Sequence, residues 1–302
     1  MTSGLHGWTN TLNINSRKLA VVGNPIEHSL SPQLHAAAYQ ALGLPWEYDR
    51  ILVPEGELAS RVGSLDETWL GISVTMPLKP EAFALATEHD VASAQSQVSN
   101  TLLFENGLVR GFNTDVAGLV NPLRRLYLTA GVAAPKAAVI VGSGATARSA
   151  VLALADLGVE HVEVVARSRE RAKSLFNLCD AVKLSSSFTL VDKMSTLERS
   201  DLTLSTLPGS AQASLDITVH EGDVLFDIAY DVWPSKNAQR WTAQGGHAVS
   251  GLSMLSAQAL EQVRIFVTGS STGVLPFETE VRIAMNASVG LDETGLHPLS
   301  VG

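Results

Sequence analysis

A glycine-rich segment in the middle of the chain has the residue types and spacing of a dinucleotide-binding loop. Gly142, Gly144 and Ala147 follow the order G-x-G-x-x-A, and the β-branched run 139–141 directly precedes them. The glycines permit a tight strand-to-helix turn and close approach of a pyrophosphate, which the amide groups of the helix N-terminus would bind. The loop residues predicted to bind the cofactor are Gly142, Ser143, Gly144, Ala145 and Thr146.

The residues after the next predicted strand indicate which dinucleotide this loop would bind. A helical stripe after the glycines ends at Gly158, and residues 162–166 then form a strand-like run, so the order is strand, turn, helix, strand. NAD-binding proteins usually place Asp or Glu after this second strand, whereas this chain has three arginines. Guanidinium groups suit a 2′-phosphate through bidentate contacts. We therefore predict NADP, bound by Arg167, Ser168, Arg169 and Arg171.

Composition and charge argue against several other classes of protein. The chain has 302 residues, enough for two domains, and its net charge of −9 disfavours nonspecific binding to nucleic acid or to an anionic membrane. Cys179 is the only cysteine, which excludes an internal disulfide and a multi-cysteine metal site, and we expect no metal. The sequence has no apolar run of about 20 residues, and residues 1–17 lack the pattern of a signal peptide. We expect a cytoplasmic protein.

Five further segments place hydroxyl, amide and charged groups next to glycine or proline. They are G-N-P-I-E-H-S-L-S-P at 23–32, V-T-M-P-L-K at 74–79, V-S-N-T at 98–101, G-F-N-T-D-V-A-G at 111–118, and D-I-A-Y at 227–230 with G-L-S-M-L-S-A-Q at 251–258. Each segment alone also fits a structural role. Ser31 could cap a helix that begins at Pro32, Thr114 or Asp115 could cap the helix that follows them, and Lys79 could be a solvated charge.

Together and in this order, these segments resemble the motifs of the shikimate dehydrogenase family over about residues 18–288. The alternation of predicted strands and helices independently indicates an α/β protein with two domains. The resemblance implies a substrate-binding catalytic domain at 1–118, a Rossmann-type NADP-binding domain at 119–251, and C-terminal helices at 252–302 that return to the substrate domain before a loose tail. Two departures stand out: Ser73 replaces the usual asparagine, and 205–210 lack the usual N-A-T-x-x-G-M.

The resemblance also implies a role for each matching residue. Lys79 would protonate the forming alkoxide as the hydride arrives, and Asp115 would orient Lys79. Ser29 and Ser31 would anchor the substrate carboxylate. The substrate-binding residues implied are Ser29, Ser31, Thr75, Asn100, Asp115, Tyr230 and Gln258, and those near the nicotinamide are Ile228 and Gly251.

The function implied is the reversible, NADPH-dependent reduction of 3-dehydroshikimate to shikimate, on the route to chorismate and the aromatic amino acids. The partner is a small-molecule substrate, with no nucleic acid and no membrane, and the chain acts as a monomer or homodimer. Two alternatives stay open at this point. One is a quinate/shikimate dehydrogenase that uses NAD, which predicts an acid where this chain has Arg167. The other is a non-catalytic NADP-binding sensor, which needs neither Lys79 nor Asp115.

Overall fold

The chain forms two compact units, each with its own six-stranded sheet. A computed structural model describes residues 15–197, 200–208 and 214–297; most of the polar N-terminal segment and the end of the C-terminal tail lie outside these ranges. The first unit contains the chain up to Asp90, Ser99–Phe112 and Ala259–Val289, and the second contains Val91–Val98, Asn113–Gln258 and the chain from Gly290. The predicted α/β class with two domains is confirmed, while the functional boundaries at 118 and 251 stay a prediction.

The sheet of the first unit is mixed, with strand order β2-β1-β3-β5-β6-β4. Its strands are β1 (Lys18–Gly23), β2 (Glu47–Leu52), β3 (Trp69–Val74), β4 (Glu88–His89), β5 (Thr101–Glu105) and β6 (Leu108–Phe112). Strand β1 lies parallel to β2 and β3, and β5 lies antiparallel to β3 and β6. After Lys18, every residue of β1 is buried, as expected for a central strand that is covered on both faces.

Four helices belong wholly to the first unit: α1 (Ser31–Leu42), α2 (Leu58–Gly63), α3 (Lys79–Leu85) and α10 (Glu278–Ser288). Helix α1 has a proline in its first turn and ends at Gly43, whose φ of 66° a glycine adopts without strain. Helix α10 packs against α1. The apolar core beside α2 and α3 includes Ile72, Leu78 and Leu102. This packing fixes the ends of β1 and β3, after which the predicted substrate-binding segments follow.

The sheet of the second unit is entirely parallel, with strand order β12-β11-β10-β7-β8-β9. Its strands are β7 (Ala137–Val141), β8 (His161–Ala166), β9 (Ser185–Leu190), β10 (Leu202–Ser205), β11 (Val224–Asp227) and β12 (His247–Ser250). Counted from β7, this is the Rossmann order 3-2-1-4-5-6. The order reverses between β7 and β10, and open α/β sheets bind ligands at the carboxyl ends of the strands there.

The helices of the second unit are α4 (Val91–Ser96), α5 (Asp115–Ala130), α6 (Ala145–Asp156), α7 (Arg169–Ala181) and α8 (Lys236–Ala243), with a 3₁₀-helix at Val191–Thr196. Helix α9 (Gly251–Thr268) contributes residues to both units. In the described part of the C-terminal tail, Leu291 is buried and Arg125 Nη1 donates to the Thr294 carbonyl at 2.7 Å. A search of the described helices finds none with the length and apolar character needed to cross a membrane.

Candidate active site

Lys79 follows the carboxyl end of β3 and begins helix α3. Thr75 N–H donates to the Val22 carbonyl at 2.9 Å, and the Thr75 carbonyl accepts from Leu78 N–H at 3.0 Å. The Lys79 carbonyl in turn accepts from Ser99 N–H at 3.2 Å. The backbone around the half-buried lysine is therefore fixed by the neighbouring strand and by the segment that precedes Asn100.

The loops after β1 and β3 pack directly on each other because Gly23 has no side chain. A Cβ at Gly23 would lie 2.3 Å from Thr75 Cγ2 and 2.8 Å from the Met76 carbonyl oxygen. Asn24 N–H donates to that same Met76 carbonyl at 3.0 Å. The structure thereby brings the start of the predicted carboxylate-binding segment against the strand end that leads to Lys79.

Ser31 does not cap helix α1, so the prediction that it is the N-cap is wrong. The helix begins at Ser31 itself, and the capping position is Leu30, which makes no side-chain capping bond. Ser31 N–H donates to Ser29 Oγ at 3.3 Å, which holds the two serines together. Ser31 is buried and Ser29 is half-buried. Helix capping therefore does not account for Ser31, and its role in anchoring the substrate carboxylate stays a prediction.

Asn100 is buried at the start of β5, and its position is set by several hydrogen bonds. Its carbonyl accepts from Val74 N–H at 2.7 Å, and its N–H donates to the Phe112 carbonyl at 2.9 Å. Thr101 Oγ1 donates to Asn100 Oδ1 at 3.0 Å. Gln262 Nε2 of α9 donates to the Asn100 carbonyl at 3.2 Å and to Thr101 Oγ1 at 3.1 Å.

The Gln262 side chain also joins a buried polar cluster that the sequence did not reveal. Gln262 Oε1 accepts from Ser73 Oγ at 2.8 Å and lies 3.3 Å from His35 Nε2, while His35 Nδ1 lies 3.0 Å from the Tyr39 hydroxyl. Because the amide oxygen only accepts, His35 carries its proton on Nε2. Ser73, at the position where the family usually has asparagine, thus has a defined partner. The spacing of Gln258 and Gln262, four residues apart on α9, is the signal that could have identified Gln262.

The same cluster contains Tyr48, whose ring stacks on His35 with centroids 3.9 Å apart. Burial raises the pKa of Tyr48, and the nearby Ser73 and Ser31 side chains oppose this shift. Neither serine meets the geometry of a hydrogen bond to the Tyr48 hydroxyl, which has no partner among the described residues. The cluster therefore contains residues of β2, β3, α1 and α9.

Burial of His35 predicts a loss of stability on acidification. Desolvation lowers the pKa of His35 from 6.5 to about 3, with the Gln262 hydrogen bond acting in the opposite direction. Between these values the unfolded chain binds a proton that the folded chain does not, so stability falls as pH decreases. At about pH 4.5 this costs roughly 3 kcal/mol relative to neutral pH.

Urea unfolding of wild type and His35→Gln at neutral pH and at about pH 4.5 tests this expectation. In His35→Gln, the difference in the free energy of unfolding between the two pH values is expected to be smaller than in wild type by about the His35 contribution. His28→Gln, at an exposed histidine, is expected to keep the wild-type difference. An equal dependence on pH in wild type and His35→Gln would show that His35 is not the group responsible.

In the second unit, Asp115 is buried at the start of α5. The capping position is Thr114, which makes no side-chain capping bond and instead donates from Oγ1 to Gln258 Oε1 at 3.3 Å. Gly118 brings α5 and α9 together, because a Cβ there would lie 2.8 Å from Gln258 Cβ. Thr114 and Gln258 are therefore hydrogen-bonded directly beside Asp115 in the chain, and the capping role considered for Thr114 and Asp115 is not observed.

The glycine-rich loop lies at the carboxyl ends of β7 and β10, the switch point of the second sheet. Gly142 has a φ of 120°, and a Cβ there would lie 2.3 Å from Thr206 Oγ1. Thr206 Oγ1 donates to the Val141 carbonyl at 3.0 Å, which holds the loop after β10 against the glycine turn. Gly144 precedes α6, and a Cβ there would meet no atom within 4 Å. Without a side chain at Gly144, the backbone amide groups at the start of α6 are accessible, as the binding of a pyrophosphate requires.

The arginines predicted to recognise a 2′-phosphate are all exposed at the end of β8. Ser168 caps α7, with its Oγ accepting from Arg171 N–H at 3.3 Å. The Arg169 guanidinium lies over the rings of Phe176 and Phe188, with its Cζ 5.1 and 5.8 Å from their centroids. Arg169 is therefore partly engaged by aromatic rings, whereas Arg167 directly precedes the cap Ser168 and Arg171 lies in the first turn of α7.

The segment after β11 carries Ile228 and Tyr230. A Cβ at Gly251 would lie only 1.9 Å from the Ile228 carbonyl oxygen, so the start of α9 packs directly on this backbone. Ser235 Oγ donates to the buried Asp227 Oδ2 at 2.9 Å, so the residue that follows this segment is hydrogen-bonded to the last residue of β11. Burial, with a smaller contribution from Asp231, raises the pKa of the half-buried Tyr230.

The predicted residues therefore fall into two sets, each held within one unit. The first unit holds Ser29, Ser31, Thr75, Lys79 and Asn100; the second holds Asp115, Tyr230, Gln258 and the predicted cofactor-binding residues. Among the described residues there is no cluster of three or more His, Cys, Asp or Glu suited to a metal ion. The first set offers an ammonium, hydroxyls and an amide for a polar substrate, and the second offers a dinucleotide cradle.

Comparison with known families gives matches in both units. Residues 21–102 match the model of the shikimate dehydrogenase substrate binding domain. Residues 129–229 match the model of shikimate / quinate 5-dehydrogenase. These two ranges contain Lys79 and Asn100 in the first case, and the glycine-rich loop and the arginines in the second.

Individual relatives match along nearly the whole chain. The shikimate dehydrogenase (NADP(+)) of Bordetella avium is 33% identical over 291 residues, covering 90% of this chain and 96% of the relative. The crystal structure of Mycobacterium tuberculosis shikimate dehydrogenase has 36% identity and a TM-score of 0.77, covering 90% of this chain and 99% of that one. Thermus thermophilus shikimate 5-dehydrogenase, solved in complex with NADP(H) and shikimate, has 26% identity and a TM-score of 0.72, with coverage of 90% and 99%.

Proposed function

Because this chain belongs to the shikimate dehydrogenase family, we propose that it catalyses the reversible, NADPH-dependent reduction of 3-dehydroshikimate to shikimate. The observation that carries the proposal is the presence, in one chain of this family, of Lys79 at the start of α3 and of a Rossmann loop followed by arginines. We place the reaction on the route to chorismate and the aromatic amino acids. We expect the protein to act in the cytoplasm as a monomer or homodimer.

In this mechanism the residues of the first unit bind the substrate and move a proton. Ser29 and Ser31 donate hydrogen bonds to the substrate carboxylate, as hydroxyls beside a helix N-terminus can do without a buried arginine. Thr75 and Asn100 bind ring hydroxyls. The Lys79 ammonium donates its proton to the oxygen at which negative charge develops during reduction, and recovers it in the reverse direction.

The residues of the second unit orient the lysine and hold the cofactor. Asp115 orients Lys79 and binds a substrate hydroxyl together with Gln258, and Tyr230 binds the substrate from the segment after β11. NADPH, when bound, supplies the hydride. The loop residues 142–146 would hold the pyrophosphate of NADPH. Its 2′-phosphate would be held by Arg167, Ser168, Arg169 and Arg171, and its nicotinamide would be bound near Ile228 and Gly251.

Removal of one arginine is expected to lower the preference for NADP⁺ over NAD⁺. Arg167→Ala removes a charge-assisted bond to the 2′-phosphate, worth about 1.5–3 kcal/mol, so KM for NADP⁺ rises about 10- to 100-fold while KM for NAD⁺ changes little. Initial rates with each cofactor give the two values. Arg124→Ala, at an exposed arginine that pairs with Asp156, serves as the control. Equal effects on both cofactors would remove Arg167 from 2′-phosphate recognition.

The proposed reaction is tested by crossing shikimate and quinate with NADP⁺ and NAD⁺ and following absorbance of the reduced nicotinamide. We expect the highest kcat/KM for shikimate with NADP⁺. Preference for quinate with NAD⁺ would favour the quinate/shikimate dehydrogenase that the residues after β8 argue against. Absence of turnover in all four pairs, with NADP⁺ still binding, would favour a sensor.

A further inference from the structure

Asn113 is a buried asparagine between β6 and α5, two residues before Asp115, and none of the roles above uses it. Its side chain is 3% exposed, so its amide groups need partners within the protein. Their partners lie on three different helices of the second unit. Asn113 is therefore placed where the start of α5 can be fixed relative to other elements.

The amide nitrogen of Asn113 binds two serine side chains. Nδ2 donates to Ser96 Oγ of α4 at 2.8 Å and to Ser149 Oγ of α6 at 3.0 Å. Ser149 lies on the helix that begins at the glycine-rich loop. A direct hydrogen bond also joins α4 and α6, since Arg148 Nη1 donates to the Ser96 carbonyl at 3.2 Å. Asn113 thus connects the helix of the cofactor loop with α4.

The amide oxygen of Asn113 binds the first residue of α5. Oδ1 accepts from Asp115 N–H at 3.1 Å, and it lies 3.3 Å from Ser149 Oγ. The first amide groups of a helix have no partner within the helix, and Thr114 makes no side-chain capping bond. The Asn113 side chain therefore supplies the acceptor that fixes the backbone of Asp115.

We propose that Asn113 is a positioning residue, which fixes Asp115 to the helix of the cofactor loop and so holds the Asp115 carboxylate in the orientation that catalysis requires. This inference rests on the proposed function of Asp115. Loss of Asn113 leaves the other residues that bind substrate and cofactor in place but releases the start of α5 and, with it, Asp115. The effect therefore falls mainly on kcat and less on KM for shikimate, because a misplaced catalytic group slows the reaction step while most contacts to the bound ligands remain.

The test compares Asn113→Ala with Asn237→Ala as the matched control. Asn237 is also buried in the second unit, and its Oδ1 likewise accepts a backbone N–H, that of Leu215 at 3.0 Å. We expect Asn113→Ala to lower kcat about 10- to 100-fold with a smaller rise in KM for shikimate and little change in KM for NADP⁺, and Asn237→Ala to keep kcat. Hydrogen exchange at the start of α5 is expected to accelerate in Asn113→Ala alone.

Two further variants distinguish a positioning role of Asn113 from a general loss of folded structure. In an Asp115→Asn background, Asn113→Ala is expected to cause no additional loss of kcat, because both changes act through the same carboxylate. Asn113→Ser folds more readily than an alanine at this site, since its hydroxyl can still accept from Asp115 N–H, and it is expected to recover part of the lost kcat.

Each result decides the matter. Multiplicative losses in the double variant, or unchanged exchange at the start of α5 in Asn113→Ala, would overturn the positioning role. If Asp115→Asn itself keeps full kcat, the role of Asp115 fails and the inference fails with it. Failure of the proposed function has a different signature, because wild type then shows no turnover on shikimate. In that case, hydrogen exchange at the start of α5 decides alone whether Asn113 fixes this helix end.

Discussion

Replacement of Lys79 with methionine is expected to lower kcat for shikimate oxidation about 10²- to 10⁴-fold, the contribution typical of general acid–base catalysis. KM for shikimate is expected to change little, because the hydroxyl and amide groups of Ser29, Ser31 and Asn100 remain. Methionine matches the apolar stem of the lysine without its ammonium group, so the start of α3 keeps its packing. Initial rates at varied shikimate and saturating NADP⁺ give kcat and KM separately.

Lys136→Met is the matched control for this measurement. Lys136 is an exposed lysine of the second unit whose ammonium lies 2.7 Å from Glu160 Oε1, and an exposed pair of this kind contributes little to stability. We expect its kcat to equal that of wild type. A near-normal kcat in Lys79→Met would remove this lysine from proton transfer, and a large rise in KM with unchanged kcat would make it a binding group.

Gly251→Ala is expected to destabilise the folded state by about 3 kcal/mol, at the upper end of the range for overpacking. The added Cβ would lie 1.9 Å from the Ile228 carbonyl oxygen and 2.3 Å from its carbonyl carbon. These are backbone atoms, which cannot rotate away as a side chain could. The clash can be relieved only if the segment after β11 moves. Because this segment carries Ile228, which is proposed to adjoin the nicotinamide, we also expect a higher KM for NADP⁺. Urea unfolding and initial-rate measurements give the two quantities.

Gly63→Ala provides the comparison for Gly251→Ala. Gly63 is exposed at the end of α2, and a Cβ there would meet nothing within 4 Å. Its effect on the free energy of unfolding is expected to stay within about 1 kcal/mol. Similar stabilities for wild type and Gly251→Ala would contradict the close contact between α9 and the segment after β11.

The second unit was predictable because its signals are local. The strand, glycine turn, helix and second strand occupy about 30 consecutive residues of a βαβ unit, and the structure has β7 at 137–141 and β8 at 161–166 where the apolar runs predicted strands. The all-parallel sheet follows from this alternation. By contrast, β4 consists of two exposed residues, Glu88 and His89, and no hydrophobic pattern identifies such a strand.

The polar clusters around the site were not predictable because their partners are distant in the chain. Gln262 binds Asn100 across 162 positions and His35 across 227, and Asn113 binds Ser149 across 36. The predicted cap of α1 is also wrong, because Ser31 and Pro32 form a typical start signal while the structure begins the helix one residue earlier. Capping preferences describe an isolated helix end and do not include a fixed loop such as 23–30.

The central claim, that this protein transfers a hydride from NADPH to 3-dehydroshikimate, is tested most directly in the direction of reduction. Wild-type protein is mixed with 3-dehydroshikimate and NADPH, and reduced nicotinamide and shikimate are quantified in the same samples. We predict that one NADPH is consumed for each shikimate formed, and that NADH supports a much lower rate. Unchanged NADPH in the presence of 3-dehydroshikimate, or faster consumption of NADH, would contradict the claim.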